Sequence, residues 1–272
     1  MLDICQNQSL SDLLRRRKRL HEIEARCYIN QLILACQYVH GKNIIHRDLK
    51  LGNLFLTDRM QLKVGDFGLA AQVFYAGERK KTVCGTPNYL APEVLESSNG
   101  HSFEVDYWSI GVILYTMLCG RPPFESQEVK NTYRKIKAGV FQFPSDSASL
   151  RVSLYAKDFI RKCLIVDPAK RMDLQEMLDH DFISLVPMPP QLPATTLVSP
   201  PTEAFQAAYK LPEVSCLHGG VSPIVSASQT QLPSTKKMNA LMSTQSPTNF
   251  NKLIPNGACN VNCQQTLRAT NT

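Results

Sequence analysis

The stretch IIHRDLKLGNLF, residues 44 to 55, is the most informative part of this 272-residue chain. Its aspartate, Asp48, is followed two positions later by Lys50 and five positions later by Asn53. A second acidic motif, Asp66-Phe67-Gly68, comes shortly afterwards. Carboxylate and amide oxygens are the ligands that Mg²⁺ prefers, and a carboxylate beside a lysine is suited to orienting a hydroxyl. The spacing therefore indicates one composite site rather than scattered surface charges.

The stretch resembles the catalytic loop of protein kinases, which has the pattern H-R-D-L-x-x-x-N, and residues 66–68 resemble the D-F-G motif that follows it. The resemblance implies that Asp48 is the catalytic carboxylate, which orients and deprotonates a substrate hydroxyl. Lys50 would neutralise charge on the moving phosphoryl group, as in serine/threonine kinases. Asn53 and Asp66 would bind Mg²⁺ and, together with Lys50, the nucleotide. The expected cofactors are ATP and Mg²⁺.

Later motifs agree with this resemblance. Asp106 begins a segment that resembles the central kinase helix, whose aspartate anchors the backbone of the catalytic loop. Arg171 is expected to pair with Glu93 of the Ala91-Pro92-Glu93 motif in a buried ion pair. His46 and Phe67 are expected to have packing roles rather than catalytic ones.

Residues 66–93 correspond to an activation segment. Thr82 is the candidate regulatory phosphosite, acted on by an upstream kinase, and its phosphate would pair with Arg47 and order the segment. Thr86 is expected to contact Asp48 and the substrate site instead of serving as a switch.

Longer blocks narrow the resemblance to the polo-like kinases over residues 1 to about 205: HRDLKLGNLFL, GERKKTVCGTPNYLAPEVL and GHSFEVDYWSIGVILYTMLCGRPPFE. The family implies phosphorylation of serine and threonine in protein substrates, with a preference for acidic residues near the target. By the same resemblance Phe55 forms the floor under adenine. Leu2-Asp3-Ile4-Cys5 resembles the hinge that holds adenine, so Asp3 and Cys5 are expected at the nucleotide. The expected location is cytoplasmic or nuclear, including the centrosome or spindle.

Because the chain begins at the hinge-like stretch, it is expected to contain only the C-terminal lobe of a kinase domain. The sequence has no G-x-G-x-x-G loop and no V-A-I-K-type lysine, which in kinases cover and align the phosphates. Two interpretations stay open. The chain is a polo-like serine/threonine kinase, or it is a non-catalytic C-lobe that binds substrates or regulators.

Composition excludes several other classes. No run of 18 apolar residues occurs, so no membrane partner is expected. The net charge of +7 is modest and its densest run, residues 15–19, has no interleaved aromatic residues, which argues against nucleic-acid binding. That run is interpreted as a solvated helix face or as a patch for nuclear import or an acidic partner. The nine cysteines form no C-x-x-C pair, which favours reduced, mostly buried thiols.

The predicted fold is mainly α: a protein-kinase-like C-lobe with a small β-ribbon at its active edge, followed by a disordered tail. The partial kinase domain is expected at residues 1–186. The tail, residues 187–272, contains 11 of the 17 prolines and three Ser-Pro pairs at Ser199, Ser222 and Ser246. Apolar periodicity and turn residues predict a helix with a stripe over 25–39 that stops at Gly41, further helices at 104–119, 128–137, 153–163 and 173–180, and strands at 53–56 and 62–64.

Overall fold

The computed structural model describes residues 4–96, 99–145 and 152–213, all of which belong to one unit, residues 1–218. A second unit, residues 219–272, lies outside the described residues. In chain order the elements are α1 (Leu10–Arg17), α2 (Glu22–His40), β1 (Ile44–Ile45), β2 (Leu54–Leu56), β3 (Leu62–Val64), β4 (Ala71–Gln72), α3 (Pro92–Glu96), α4 (Glu104–Cys119), α5 (Val129–Ala138), α6 (Leu154–Cys163), α7 (Leu174–Asp179), α8 (Asp181–Ser184) and α9 (Glu203–Ala208). Short 3₁₀ turns lie at Leu51–Asn53, Pro87–Tyr89, Pro168–Lys170 and Ala194–Leu197. The predicted mainly helical fold is confirmed.

Helix α4 is the centre of the core. Almost all of its residues are buried, and it packs against α2 on one side and α6 on the other. A helix that is apolar around its whole circumference is stable only when other elements surround it. Gly111 permits the approach of α6, since a Cβ atom at this position would lie 2.5 Å from Cβ of Cys163. The helix has the predicted bounds and ends at Gly120, which adopts a left-handed φ of 78°.

The other predicted helices are present with small differences at their N-termini. Helices α5, α6 and α7 each begin one residue later than predicted, because Glu128, Ser153 and Asp173 adopt extended backbone angles as N-cap residues. Helix α2 ends before Gly41 as predicted, but Gly41 itself has a right-handed φ of −63°. The left-handed residue of this turn is Asn43, with φ 57°.

Two antiparallel strand pairs place the site residues at one edge of the helical domain. Strands β2 and β3 pair with Leu54 opposite Val64 and Leu56 opposite Leu62, which confirms the predicted ribbon. The turn between them closes through a 3.0 Å hydrogen bond from the amide of Met60 to the carbonyl of Thr57. Strand β1, just before the catalytic loop, pairs with β4, just after residues 66–68. The catalytic loop and the D-F-G segment are thus held side by side.

Residues 187–213 of the predicted tail pack on the helical domain. Leu192, Thr196 and Leu211 are buried, and Leu192 and Leu211 belong to the main hydrophobic core. The domain boundary at residue 186 and the disorder of the later tail remain predictions, and residues 214–272 lie outside the described residues.

The basic run at residues 15–19 divides between surface and interior. The side chain of Arg15 is 74% exposed, whereas that of Arg17 is 4% exposed and pairs with buried Glu24 at 2.9 Å. A solvated face therefore accounts for only part of the run. Among the described residues the cysteines are all free thiols, three of them buried at Cys27, Cys36 and Cys163.

Candidate active site

A buried carboxylate holds the backbone of the catalytic loop. Asp106 of α4 accepts hydrogen bonds from the amides of His46 and Arg47, both at 2.9 Å, so the predicted anchor is present. The same carboxylate contacts Nε2 of His40, at the end of α2, at 2.8 Å. Arg47 adopts a left-handed φ of 68°, which a non-glycine residue keeps only where its surroundings enforce it. Two helices and one carboxylate thus fix the loop, and His40 is a member that no sequence motif indicated.

Asp48 lies at the centre of the loop with its carboxylate surrounded by donors. Oδ1 accepts from the amide and the hydroxyl of Thr86, at 3.1 and 2.8 Å. Oδ2 accepts from Nζ of Lys50 at 2.7 Å and from Nδ2 of Asn53 at 3.3 Å. The carboxylate thus accepts four hydrogen bonds, one of them from the ammonium of Lys50, and these fix its position in the loop.

Thr86 joins the activation segment to this carboxylate, as predicted. Its hydroxyl donates to Asp48 and accepts from Nζ of Lys50 at 3.0 Å. A substrate hydroxyl would bind in the same manner, with its proton toward Asp48 and its oxygen near the lysine. The Thr86 contacts thus show that Asp48 and Lys50 together can hold a hydroxyl group.

The residues predicted to bind Mg²⁺ have the right oxygen types. Nδ2 of buried Asn53 donates to the carbonyl of Asp48 at 2.9 Å, which commits the amide nitrogen and leaves Oδ1 as the group to bind a cation. Asp66 is exposed, with a left-handed φ of 60°, and its Oδ1 accepts from the amide of Gly68 at 3.2 Å. No group of three or more His, Cys, Asp or Glu side chains suited to a metal occurs in the described ranges. An amide and a carboxylate fit a Mg²⁺ ion that takes further ligands from phosphates and water.

His46 and Phe67 connect the two motifs through a contact between their rings; His46 is buried as the packing role predicted, whereas Phe67 is 45% exposed. Their ring centroids lie 4.9 Å apart. Nδ1 of His46 accepts from the amide of Asp48 at 3.3 Å, and its Nε2 lies 3.1 Å from the carbonyl oxygen of Gly65. The imidazole is buried and bridges the loop to the residue before Asp66, so its role is structural.

Of the three residues predicted at adenine, Phe55 lies on β2. Phe55 is half-buried and packs over Gly65, where a Cβ atom would meet its ring at 2.9 Å. Residues 7–9 run beside β2, with Asn7 and Gln8 hydrogen-bonded to Leu56. Cys5, partly exposed, precedes this segment, whereas Asp3 lies outside the described residues.

The activation segment presents Thr82 to solvent. Arg47 donates a hydrogen bond from Nε to the carbonyl of Leu69 at 2.6 Å.

Lys80 of the activation segment forms an ion pair with Glu78 at 2.5 Å and two backbone hydrogen bonds of 2.8 Å with His101. Burial, reinforced by the charge of Arg47, lowers the pKa of His101 below its ordinary value of 6.5. The pairing of phosphorylated Thr82 with Arg47 remains a prediction.

The predicted ion pair beneath the activation segment is present. Arg171 forms two hydrogen bonds with the carboxylate of Glu93, at 2.7 and 3.0 Å, and its guanidinium carbon lies 5.2 Å from the centre of the Trp108 ring. Both side chains are buried, with 0% and 9% exposed. Removing either partner would leave a buried, unpaired charge.

Comparison with known proteins gives a consistent result. The protein kinase domain family matches residues 1–183. The chain is 53% identical over 216 residues to the probable serine/threonine-protein kinase CCRP1 of Zea mays, covering 79% of this chain and 34% of that protein. It is 50% identical over 230 residues to the serine/threonine-protein kinase PLK1 of Xenopus tropicalis, covering 83% and 38%. It is 47% identical over 201 residues to the serine/threonine-protein kinase polo of Drosophila melanogaster, covering 74% and 34%.

The chain thus spans about a third of the length of these curated relatives. None of the helices in the described ranges is long and apolar enough to cross a membrane.

Proposed function

This chain belongs to the protein kinase family, and we propose that it is a serine/threonine kinase of the polo-like type. The reaction transfers the γ-phosphoryl group of ATP to a serine or threonine hydroxyl of a protein substrate. The observation that carries the proposal is the carboxylate of Asp48, which already holds one threonine hydroxyl, that of Thr86, at 2.8 Å.

Each site residue has a role that follows from its contacts. Asp48 orients the incoming hydroxyl and accepts its proton, a contribution typically of about 10²–10⁴-fold in rate. Lys50, 2.7 Å from Asp48, stays beside the reacting oxygen and compensates its developing charge. Asn53 and Asp66 would hold Mg²⁺, which when bound neutralises the phosphates. Asp106 keeps the loop in its left-handed turn and so fixes where Asp48 points.

The nucleotide would lie against β2 and the segment before it. The half-buried ring of Phe55 supplies an apolar surface for adenine, and the backbone near Cys5 supplies hydrogen-bonding groups beside it. Asp3 is proposed for the same site by resemblance to the family's hinge. Lys50 would contact the γ-phosphate.

Regulation is proposed to act through the activation segment. Thr82 is exposed and can be reached by an upstream kinase. A phosphate there would attract Arg47, whose side chain carries further donors besides the Nε that bonds to Leu69. A relative from Saccharomyces cerevisiae, 47% identical over 202 residues, is named as a cell cycle serine/threonine-protein kinase, which supports a role in the cell cycle. A cytoplasmic or nuclear location, including the centrosome or spindle, is proposed from the resemblance to the polo-like family alone.

Phosphoryl transfer to dephosphorylated casein, measured with radiolabelled ATP and Mg²⁺, tests the proposal. We expect transfer that is lost in Asp48→Asn, because the amide cannot accept the proton. The matched control is Asp58→Asn, which changes the same side chain in the exposed turn between β2 and β3. Equal transfer by the parent chain and Asp48→Asn would contradict the proposal. Binding of casein without transfer would support the alternative function, a non-catalytic module that binds substrates or regulators.

A further inference from the structure

The chain continues beyond helix α8 as a segment that two arginines tie to the helical domain. We call residues 186–199 the strap. Arg26 of α2 donates from Nη2 to the carbonyls of Val186 and Pro187, at 3.1 and 3.3 Å. Arg17 of α1 donates to the carbonyl of Thr196. The strap therefore contacts the first two helices at its beginning and near its end.

The attachment near the end of the strap is a buried one. Arg17 forms two hydrogen bonds with Glu24, at 2.9 and 3.0 Å, and the side chains of this pair are 4% and 0% exposed. Thr196 is itself fully buried, and its hydroxyl donates to the carbonyl of Pro193 at 2.7 Å. A carbonyl that helps satisfy a buried guanidinium has to be held accurately in place, since an unsatisfied buried charge is costly.

The turn that carries Thr196 is closed by Ser199. The carbonyl oxygen of Thr195 accepts from the amides of Val198 and Ser199, both at 3.0 Å, and from the hydroxyl of Ser199 at 3.3 Å. Ser199 thus makes two of the three hydrogen bonds to this oxygen. Its side chain is nevertheless exposed, and the next residue is Pro200.

We propose that Ser199 is a phosphorylation site for a proline-directed protein kinase and that its phosphorylation releases the end of the strap. The modifying kinase uses ATP: a bond forms between Oγ of Ser199 and the γ-phosphorus, and the bond from that phosphorus to the oxygen of ADP breaks. The hydroxyl proton passes to the catalytic base of the modifying kinase. Exposure of the hydroxyl and the proline immediately after it are the two features that this class of enzyme requires.

The chemical change acts directly on the turn. The modified oxygen no longer has a proton to donate to the carbonyl of Thr195. A group with a charge of about −1.5 to −2 then lies beside that carbonyl oxygen and repels it. Arg17 offers little compensation, because its guanidinium is already shared between Glu24 and Thr196. The turn should open and carry the carbonyl of Thr196 away from Arg17.

The first experiment incubates the folded full-length chain with ATP and a cyclin-dependent kinase as the proline-directed enzyme, and phosphopeptides are mapped by mass spectrometry. Ser222 and Ser246, the other Ser-Pro sites, are changed to alanine so that only one such site remains. We expect phosphate on Ser199 of the folded chain, and none at position 199 in the Ser199→Ala chain or in the absence of the added enzyme. Phosphorylation of an unfolded chain but not of the folded one would overturn the proposal, because the site would then be protected.

The second experiment measures hydrogen–deuterium exchange of the phosphorylated and unmodified chains. Amides of residues 196–199 should exchange about tenfold faster after phosphorylation, the factor expected for losing roughly one hydrogen bond. Exchange in α4 should not change. Ser222→Glu serves as a matched control for added charge and should leave residues 196–199 unaffected. An unchanged exchange rate at these residues would overturn the proposed release. Slower exchange would also overturn it, because it would mean that nearby arginines bind the phosphate and hold the turn closed.

Discussion

Asp106 of α4 holds the backbone of the catalytic loop in place. Its carboxylate is completely buried, yet it receives two backbone amides of the loop and the imidazole of His40. His40 has to carry its proton on Nε2 to donate to this carboxylate. Its Nδ1 has no hydrogen-bond partner within the described part of the chain. The histidine therefore acts on the loop only through Asp106 and is a positioning residue.

Replacing His40 separates its hydrogen bond from its ring packing. His40→Phe retains an aromatic ring beside Phe103 and Tyr107 but cannot donate to Asp106. We expect a loss of about 1.5–3 kcal/mol of unfolding free energy, typical of a hydrogen bond to a charged group, together with faster hydrogen–deuterium exchange in residues 44–49. His40→Gln, which can still donate, should retain most of the protection in this peptide. Equal exchange in both variants would contradict the positioning role.

His101 makes the stability of the domain depend on pH. The buried imidazole faces Arg47 of the catalytic loop and Arg79 of the activation segment, with Glu93 and Asp106 opposing them. Burial, and then the charge of Arg47, lowers its folded-state pKa below 6.5, so the unfolded chain binds the proton more tightly. Neutral His101 makes its full contribution to the free energy of unfolding above pH 6.5. That contribution is lost as the pH falls from 6.5 to the lower pKa of the folded state.

Urea unfolding of the parent chain and of His101→Gln at about pH 7.5 and about pH 5.5 tests this dependence. The parent should lose more stability between the two conditions than the variant, because only the parent takes up a proton at this position on unfolding. His21, whose pKa burial also lowers, is present in both chains and accounts for part of the remaining loss. An identical loss in the two chains would show that His101 does not contribute.

Among the secondary-structure elements, α4 and α6 lie close together because residue 111 of α4 is a glycine. A Cβ atom on Gly111 would lie 2.5 Å from Cβ of Cys163 and 3.0 Å from Cδ2 of Leu164. Cys163 is the last residue of α6 and Leu164 follows it directly, so α4 and α6 have to move apart to admit a methyl group. Inserting atoms into a packed core typically costs about 1–3 kcal/mol.

Gly111→Ala should therefore destabilise the domain even though alanine is the better helix former by about 1 kcal/mol. We expect a net loss of up to about 2 kcal/mol in chemical denaturation, since the cost of overpacking is reduced only in part by the gain in helix propensity. Gly52→Ala is the matched control, because a Cβ atom at residue 52 meets nothing within 4 Å. A Gly111→Ala chain as stable as the control would show that α6 can shift without cost.

The elements differ in how well their sequences predict them. Helix α4 and the ribbon of β2 and β3 have strong local signals: an uninterrupted apolar block that ends at Gly120, and two short apolar strands around a polar turn. The contact between Thr86 and Asp48 was predicted because the motifs specify both partners. The contact of His40 with Asp106 was not, since it joins helices 66 positions apart and a histidine at a helix end has no distinctive pattern.

At the scale of the whole molecule, the sequence is least informative after residue 186. Low charge and many prolines indicate a segment without a core of its own, yet residues 187–213 bury Leu192 and Leu211 against the domain. Composition indicates only whether a segment can fold by itself. Residues 187–213 do not have to fold by themselves, because they pack on a helical domain that is already formed. The anchors that hold the strap, Arg17 and Arg26, lie more than 150 positions earlier in the chain.

The folded unit should accordingly extend past the protein kinase domain match, which ends at residue 183. Comparing chains 1–183 and 1–213 tests this. The shorter chain lacks Leu192 and Leu211, and burying each of these side chains fully would contribute about 1.5–3 kcal/mol to the free energy of unfolding. It also lacks the carbonyls to which Arg17 and Arg26 donate hydrogen bonds. Ordering the added residues offsets part of this gain. We still expect the midpoint of thermal unfolding to fall by about 5 °C or more, as a net loss of roughly 2 kcal/mol would produce in a chain of this size. In chain 1–213, Leu192→Ala should lower the midpoint of thermal unfolding, whereas Leu185→Ala, at a position 44% exposed, should change it little. Equal midpoints for chains 1–183 and 1–213 would mean that residues 184–213 contact the domain without stabilising it.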